Sequence, residues 1–262
     1  MVISHRLTEQ RVNQSIGKKA PRTAKEVSIS LEERFPTFRQ DVIIIAGGYG
    51  SGKSEVAVNL ARQLASAKGE TVQIADLDIV NPYFRSREAA LELEKFGVKS
   101  IIPTGSLAQA DLPIIIPQIK GAVEQRQSTV VLDVGGDDVG ARVLKSLGTA
   151  FKPGQYELLL VLNANRPFTS TVAGTVQMIE DIELASSLNF TGIISNTHLM
   201  DDTTEDVLMA GIALSEEVAK VRKLPIAFIS AERPVLESCA GKIADHALLA
   251  LDRSLKKPWE QK

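Results

Sequence analysis

The sequence predicts an α/β fold: a doubly wound, mostly parallel sheet with helices on both faces, in a single domain with an N-terminal extension. Three observations carry this. Short apolar runs recur from residue 41 onward as continuous Val/Ile/Leu stretches, the pattern of strands buried on both faces. Longer amphipathic stretches separate them, as crossover helices do, and such crossovers are right-handed. A glycine-rich loop stands between the first apolar run and the first helical stretch.

In chain order, residues 1–40 hold eight Lys/Arg against four Asp/Glu and read as a basic arm. The arm is expected to be flexible to about residue 25 and solvated. Within it Val27, Ile29 and Leu31 alternate with polar residues, as in a short edge strand. Residues 41–262 are expected to form one domain built around the glycine-rich loop. Its strands are expected at "DVIIIAG", "TVQIAD", "KSIIP", "STVVLDV", "YELLLVLN", "TGIISN" and "PIAFIS". Its helices include "KSEVAVNLARQLASA", "DLPIIIPQIKGAVEQ", "TVAGTVQMIEDIELASSL" and "EDVLMAGIALSEEVAKVR". Near the C-terminus Leu236, Ala240, Ile243, Ala247, Leu251 and Leu255 recur at helical spacing, which reads as a core-facing final helix. It lacks a strongly basic face, and Trp259 beside Lys256 and Lys257 is slender support for an interface, so no membrane attachment is expected.

Composition narrows the function classes. The chain has 262 residues, 44% hydrophobic and 24% charged, with net charge −2, so nothing points to general nucleic-acid binding. Cys239 is the single cysteine, which excludes an intrachain disulfide and a CxxC metal site. His5, His198 and His246 are too scattered for a zinc motif, and His198 and His246 read as packing or surface residues. No apolar run reaches the roughly 20 residues of a membrane span. No signal-peptide core is evident, and a cytoplasmic location is expected.

Gly47, Gly48, Tyr49, Gly50, Ser51, Gly52, Lys53 and Ser54 spell GGYGSGKS, a full match to GxxxxGK[ST] between strand and helix. Glycines let backbone N–H groups turn inward into an anion nest, and the helix adds its positive end. Lys53 is expected on the β and γ phosphates, and the Ser54 hydroxyl on Mg²⁺. The loop binds nucleotide.

Two acidic stretches supply candidates for the rest of the site. In "VVLDVGGDD" Asp133 closes a buried strand and is expected to reach Mg²⁺. Asp133 to Gly136 also fits DxxG, in which the glycine amide senses a γ-phosphate. Asp137 and Asp138 serve this site or cap the next helix. In "IADLDIVNPYFRSRE" Asp76 and Asp78 follow the second strand. Paired carboxylates beside a triphosphate make sense facing a metal and the attacking water: Asp76 is assigned to the metal and Asp78 to the water, with the water role open between them. Asn81-Pro82 begins an irregular segment, in which Arg85 and Arg87 are candidates for transferring charge or for surface ion pairs.

In their order these stretches, with a late "SNT" after "TGII", resemble the MinD/ParA branch of P-loop ATPases (the CobQ/CobB/MinD/ParA nucleotide-binding domain). That branch is grouped with signal-recognition GTPases and with arsenite, tail-anchored-protein and nickel ATPases. The likeness covers about residues 41–250. It implies that Asn196 contacts the base, and Asn196-Thr197-His198-Leu199 lacks the carboxylate of a guanine-reading NKxD, which favours ATP. Two residues depart from the family loop: Gly48 stands where a signature lysine is expected and Tyr49 where glycine is. This removes the marker of an ATP-sandwiched homodimer, leaving such a dimer open. No cysteine pair or histidine cluster provides for a metal cluster.

The resemblance implies a Mg²⁺-dependent ATPase acting as a nucleotide-controlled switch or assembly factor, with Lys53, Asp78 and Asp133 in catalysis and an unidentified protein partner. The alternative is a small-molecule or nucleoside kinase, with Arg85 or Arg87 on the phosphoryl group and residues 103–113 as an acceptor loop. A non-hydrolysing nucleotide-binding regulator is the third reading.

Overall fold

The computed structural model describes residues 30–69, 71–78, 87–102, 116–136 and 138–253. Val42–Gly47 (β1) leads through the glycine loop to Lys53–Lys68 (α1), then Val72–Asp76 (β2), Arg87–Glu94 (α2) and Val98–Ser100 (β3). Ile116–Gln125 (α3), Val130–Gly135 (β4), Asp138–Leu147 (α4), Glu157–Leu162 (β5) and Val172–Ser186 (α5) follow. Gly192–Ser195 (β6), Glu205–Arg222 (α6), Ile226–Glu232 (β7), Arg233–Cys239 (α7) and Leu248–Leu251 (β8) complete the order.

The eight strands form one sheet in the order β3-β2-β4-β1-β5-β6-β7-β8, and every pairing is parallel. β1 feeds both faces because strand side chains alternate. Val42, Ile44 and Ala46 join one core with Ile119, Leu144 and Ile182 of α3, α4 and α5. Ile43 and Ile45 join the other with Val56, Leu60 and Leu64 of α1. Six of the seven apolar runs hold β1, β2 and β4 to β7, while "KSIIP" meets β3 only at Lys99 and Ser100, and helices cover both faces. Thr171 and Thr204 cap α5 and α6, each accepting from the backbone N–H three residues on, which satisfies an orphan donor of the first turn.

One element differs. The expected final helix is instead the short α7, a turned segment containing Ile243, and β8 beside β7. Leu236, Ile243 and Leu248 share one buried cluster, so the apolar positions are buried as read, but on different elements. A short apolar run such as "LLAL" suits a buried strand and a buried helix equally, and the free edge of β7 decides for the strand. Leu255, Lys256, Lys257 and Trp259 lie outside the described residues.

The edge strand expected around Val27, Ile29 and Leu31 also lies outside them, except for Ser30 and Leu31, which lead into a 3-10 turn at Glu32–Arg34. Phe35 and Phe38 pack against the α1-side core, and Phe38 meets Phe228 of β7 edge to face at 6.3 Å between ring centroids. The Arg34 guanidinium donates to the carbonyls of Ile243 and His246. Asn59 of α1 exchanges two hydrogen bonds with the Asp252 backbone, at 3.0 and 2.9 Å, and Gln63 donates to the Ala250 carbonyl at 2.7 Å.

Candidate nucleotide-binding site

The strand order creates the site. β1 lies between β4 and β5, while the chain leaves β1 for β2, two places away. Ligands of such sheets bind at this kind of reversal, beyond the carboxyl ends of the strands. The segments after β1, β2, β4, β5 and β6 therefore converge on the Gly47–Ser54 loop. Gly50 and Gly52 both adopt positive φ, 72° and 88°, the left-handed region that glycine enters without strain. A side chain at Gly52 would also sit 2.4 Å from the Asn196 amide nitrogen. α1 begins at Lys53, so its unsatisfied N–H groups point into the loop.

Lys53 is buried and its Nζ lies 2.8 Å from Asp78 Oδ2. Burial works against its charge, but Asp133, the Asp78 hydrogen bond and Asp76 outweigh that and raise its pKa. The Asp78 amide donates to Asp76 Oδ1 at 2.9 Å. Asp76 and Asp133 are register partners on β2 and β4, 1% and 0% exposed. Among the described residues neither Asp133 oxygen has a hydrogen-bond partner, while the Ser54 hydroxyl favours its charged form. Burial first, then the Asp76 charge, pushes the Asp133 carboxyl up to about 7, although Lys53 and Ser54 pull the other way.

Gly136 closes over the loop. A Cβ there would stand 2.3 Å from the Gly47 carbonyl and 2.7 Å from the Gly48 nitrogen. Asn196, 2% exposed, donates to the Ser51 carbonyl at 2.8 Å and accepts from Ser230 Oγ at 2.9 Å. The amide thus ties the phosphate-type loop to β6 and β7. Burial, with Arg166 and Arg253, lowers His198 to about 4, so this histidine is neutral beside the loop. Gly48, Tyr49, Ser51, Lys53, Asp78 and Gly136 line a cleft of about 380 Å³. Tyr49 stands at its mouth, 81% exposed.

Arg166, Phe168 and Thr169 line the same cleft from the segment after β5, and sequence reasoning passed over them. The signal was available in "LNANRPFT", a polar stretch at the carboxyl end of a buried strand. Arg87 opens α2 and Asp138 opens α4. Asn81, Pro82, Arg85, Asp137 and the 103–113 loop lie outside the described residues. Among the described residues no helix is long and apolar enough to cross a membrane.

Known proteins bear on this geometry. The model of the CobQ/CobB/MinD/ParA nucleotide binding domain matches residues 42–231. The cytosolic Fe-S cluster assembly factor NUBP1 homologues of Caenorhabditis briggsae and Caenorhabditis elegans are each 40% identical over 52 residues, 20% of this chain. The match spans 17% of the length of these relatives. Among solved structures, cell division protein FtsY from Thermotoga maritima is similar at TM-score 0.48 and 21% identity, covering 77% of this chain and 67% of that one. FlhF complexed with GTP and Mg²⁺ is similar at TM-score 0.45 and 16% identity, covering 79% and 74%. With the family model running from the first residue of β1 into β7, over more than half of its length, the chain belongs to the CobQ/CobB/MinD/ParA nucleotide-binding domain family.

Proposed function

We propose that the protein is a Mg²⁺-dependent ATPase that works as a nucleotide-controlled switch in an accessory or assembly role. The observation that carries this is the Asp133 carboxylate, fully buried with neither oxygen hydrogen-bonded among the described residues, beside Ser54 and Lys53 at the root of a phosphate-type loop. An unpartnered buried carboxylate is costly, and a divalent cation offsets that cost. Among the described residues no group of three or more His, Cys, Asp or Glu side chains is placed to hold a metal alone. Mg²⁺ fits such a site, because it takes one or two carboxylates and completes its shell with phosphate oxygens and water. Ser54, Asp133 and Asp76 would hold it, and when bound it would neutralise phosphate charge.

On this reading the chain's own groups divide the work. The inward N–H groups of residues 48–54 cradle the phosphates. Lys53 transfers its contact from Asp78 to the β and γ phosphates, which frees Asp78 to orient the attacking water. Gly136, packed on Gly47, reports whether a γ-phosphate is present. The absence of a carboxylate at Leu199 supports adenine over guanine, with Asn196 near the base. The Fe-S assembly factors named above lend support to an assembly role; this chain's single cysteine, Cys239, is buried in α7, so it offers no cysteine pair for a cluster.

The test is molar mass by light scattering with ADP and with a non-hydrolysable ATP analogue plus Mg²⁺, alongside Mg²⁺-dependent phosphate release, in the parent and Lys53→Ala. A mass that doubles only with the analogue, and hydrolysis lost in Lys53→Ala, are the expected results. Nucleotide binding without hydrolysis or any change of mass would count against the switch.

One observation favours the kinase reading. A second cavity of about 370 Å³, lined by Ala141, Gly174, Gln177 and Ile182, shares Gly136, Pro167, Phe168 and Met178 with the first. On the kinase reading this cavity is the room for an acceptor. Phosphoryl transfer to a screened acceptor, in excess of release to water, is the result that would select it.

A further inference from the structure

The cleft is short of positive charge for the ligand proposed. Asp76, Asp78 and Asp133 gather around a single lysine, and Lys53 already spends its ammonium on Asp78 at 2.8 Å. A triphosphate brings several more negative charges. Among the described residues lining the cleft, one other cation is present, Arg166.

Its placement is specific. Arg166 Nε donates to the Gly50 carbonyl at 2.7 Å, at the tip of the glycine loop. The guanidinium lies flat against Gly50: a Cβ there would come within 2.9 Å of its Cζ and Nε and 3.2 Å of one terminal nitrogen. Neither terminal nitrogen has a hydrogen-bond or carboxylate partner among the described residues. The segment that presents it is held firmly. The Arg166 amide donates to the Asn163 carbonyl at 3.1 Å, the Thr169 amide to the Arg166 carbonyl at 3.0 Å, and the buried Thr169 hydroxyl to Asn163 at 2.7 Å. The nearby His198 is neutral and leaves the anion to the arginine.

We propose that Arg166 is a phosphate-contacting residue supplied in cis, with its Nε fixed on Gly50 and its two terminal amino groups directed at the terminal phosphate of a bound nucleoside triphosphate. This rests on the nucleotide reading above. The planar fork of an arginine suits phosphate oxygens, and pinning one of its nitrogens prepays part of the ordering cost. Its position on the loop tip, opposite Lys53 at the loop's helical end, brackets the phosphate chain between two cations. Discrimination between triphosphate and diphosphate follows: Lys53 serves both, whereas Arg166 serves the phosphate that only one of them has.

The bland alternative is a splint, in which Arg166 only stiffens the loop through Gly50. Calorimetric titration of ADP and of a non-hydrolysable ATP analogue with Mg²⁺ separates the two, using the parent, Arg166→Ala, Arg166→Lys and Arg166→Gln. Glutamine can keep an N–H for the Gly50 carbonyl without the charge, and thermal melts establish that each variant is folded. Arg166→Ala and Arg166→Gln are expected to weaken the analogue about 10- to 100-fold, the size of a charged hydrogen bond, with ADP affinity changed less than about 3-fold. Arg166→Lys is expected to recover part of the loss. Equal losses for both nucleotides, or rescue by glutamine as good as by lysine, would establish the splint and overturn the proposal. Parent binding with no variant effect would overturn it as well. A parent that binds neither nucleotide would instead defeat the nucleotide reading itself, before any variant is compared.

Discussion

Asp76 and Asp133 stand side by side as register partners on adjoining parallel strands, both buried, and neither Asp133 oxygen has a hydrogen-bond partner among the described residues. Two like charges at this spacing in a dry site oppose each other's ionisation. The strand pairing fixes their approach, so side-chain rearrangement alone offers little relief.

Asp133 has a pKa of about 7 in the folded chain, above its usual 3.8. The folded state then holds this proton more tightly than the unfolded state. Its contribution to stability is complete below about pH 4 and lost by about pH 7, with a slope of at most ~1.4 kcal/mol per pH unit. Thermal unfolding of the nucleotide-free protein at successive pH values is expected to show Tm falling across this window. Asp133→Asn should flatten the fall, and identical slopes in the two proteins would falsify the assignment.

Lys53 is the charge that makes this cluster tolerable. Breaking a buried ion pair by removing one partner costs roughly 3–5 kcal/mol, so Lys53→Ala should destabilise the free protein as well as abolish phosphate binding. The loss is expected to be larger at pH 8 than at pH 5, where Asp133 is protonated. Denaturant melts at the two pH values check this, and a loss independent of pH would break the link between Lys53 and Asp133.

Gly136→Ala forces a methyl group to within 2.3 Å of the Gly47 backbone. Overpacking of this kind costs about 1–3 kcal/mol, and here it displaces the loop itself. Stability and nucleotide affinity should fall together. Gly121→Ala, in α3 with only a Gln125 side-chain atom at 3.9 Å, is the control and should stabilise by about 0.5–1 kcal/mol. Chemical denaturation of both variants, with nucleotide titration of Gly136→Ala, provides the comparison.

Asn196 and Ser230 form one hydrogen-bonded unit with the Ser51 carbonyl. Asn196→Ala should cost about 1–3 kcal/mol by leaving the buried Ser51 acceptor without this partner. Because Ser230 acts on the loop only through Asn196, the double variant should be less destabilised than the sum of the singles. Strict additivity in a double-mutant cycle would show that the two bonds are independent.

The parallel sheet and the glycine loop were legible because each is written locally, in apolar runs and in eight consecutive residues. β8 was not, because "LLAL" has no helical or strand identity until β7 offers it an edge. Asp76, Asp78 and Asp133 were picked out by type and by their place at strand ends, and the fold gathers them around Lys53. What the sequence did not reveal was how they pair: Lys53 with Asp78, and Asp76 with Asp133 across β2 and β4. Arg166 escaped notice because an arginine after a strand usually reads as surface. Its meaning depends on β5 lying next to β1, a fact of strand order. Asn196 was singled out for a base, and in the fold both ends of its amide are already engaged by Ser51 and Ser230.

The bonds from Asn59 and Gln63 to residues 250–252 join positions nearly two hundred apart in the chain. During synthesis the phosphate loop and α1 emerge early, yet the strand against which α1 is fastened is made late. Until β8 arrives, Asn59 keeps both ends of its amide for water or for its own helix, and the buried flank of α1 has no floor at that edge. A nascent chain halted before residue 248 would thus carry a complete glycine motif on a helix not yet clamped. The flank of the helix that follows the glycine loop is therefore completed only by the last strand of the sheet.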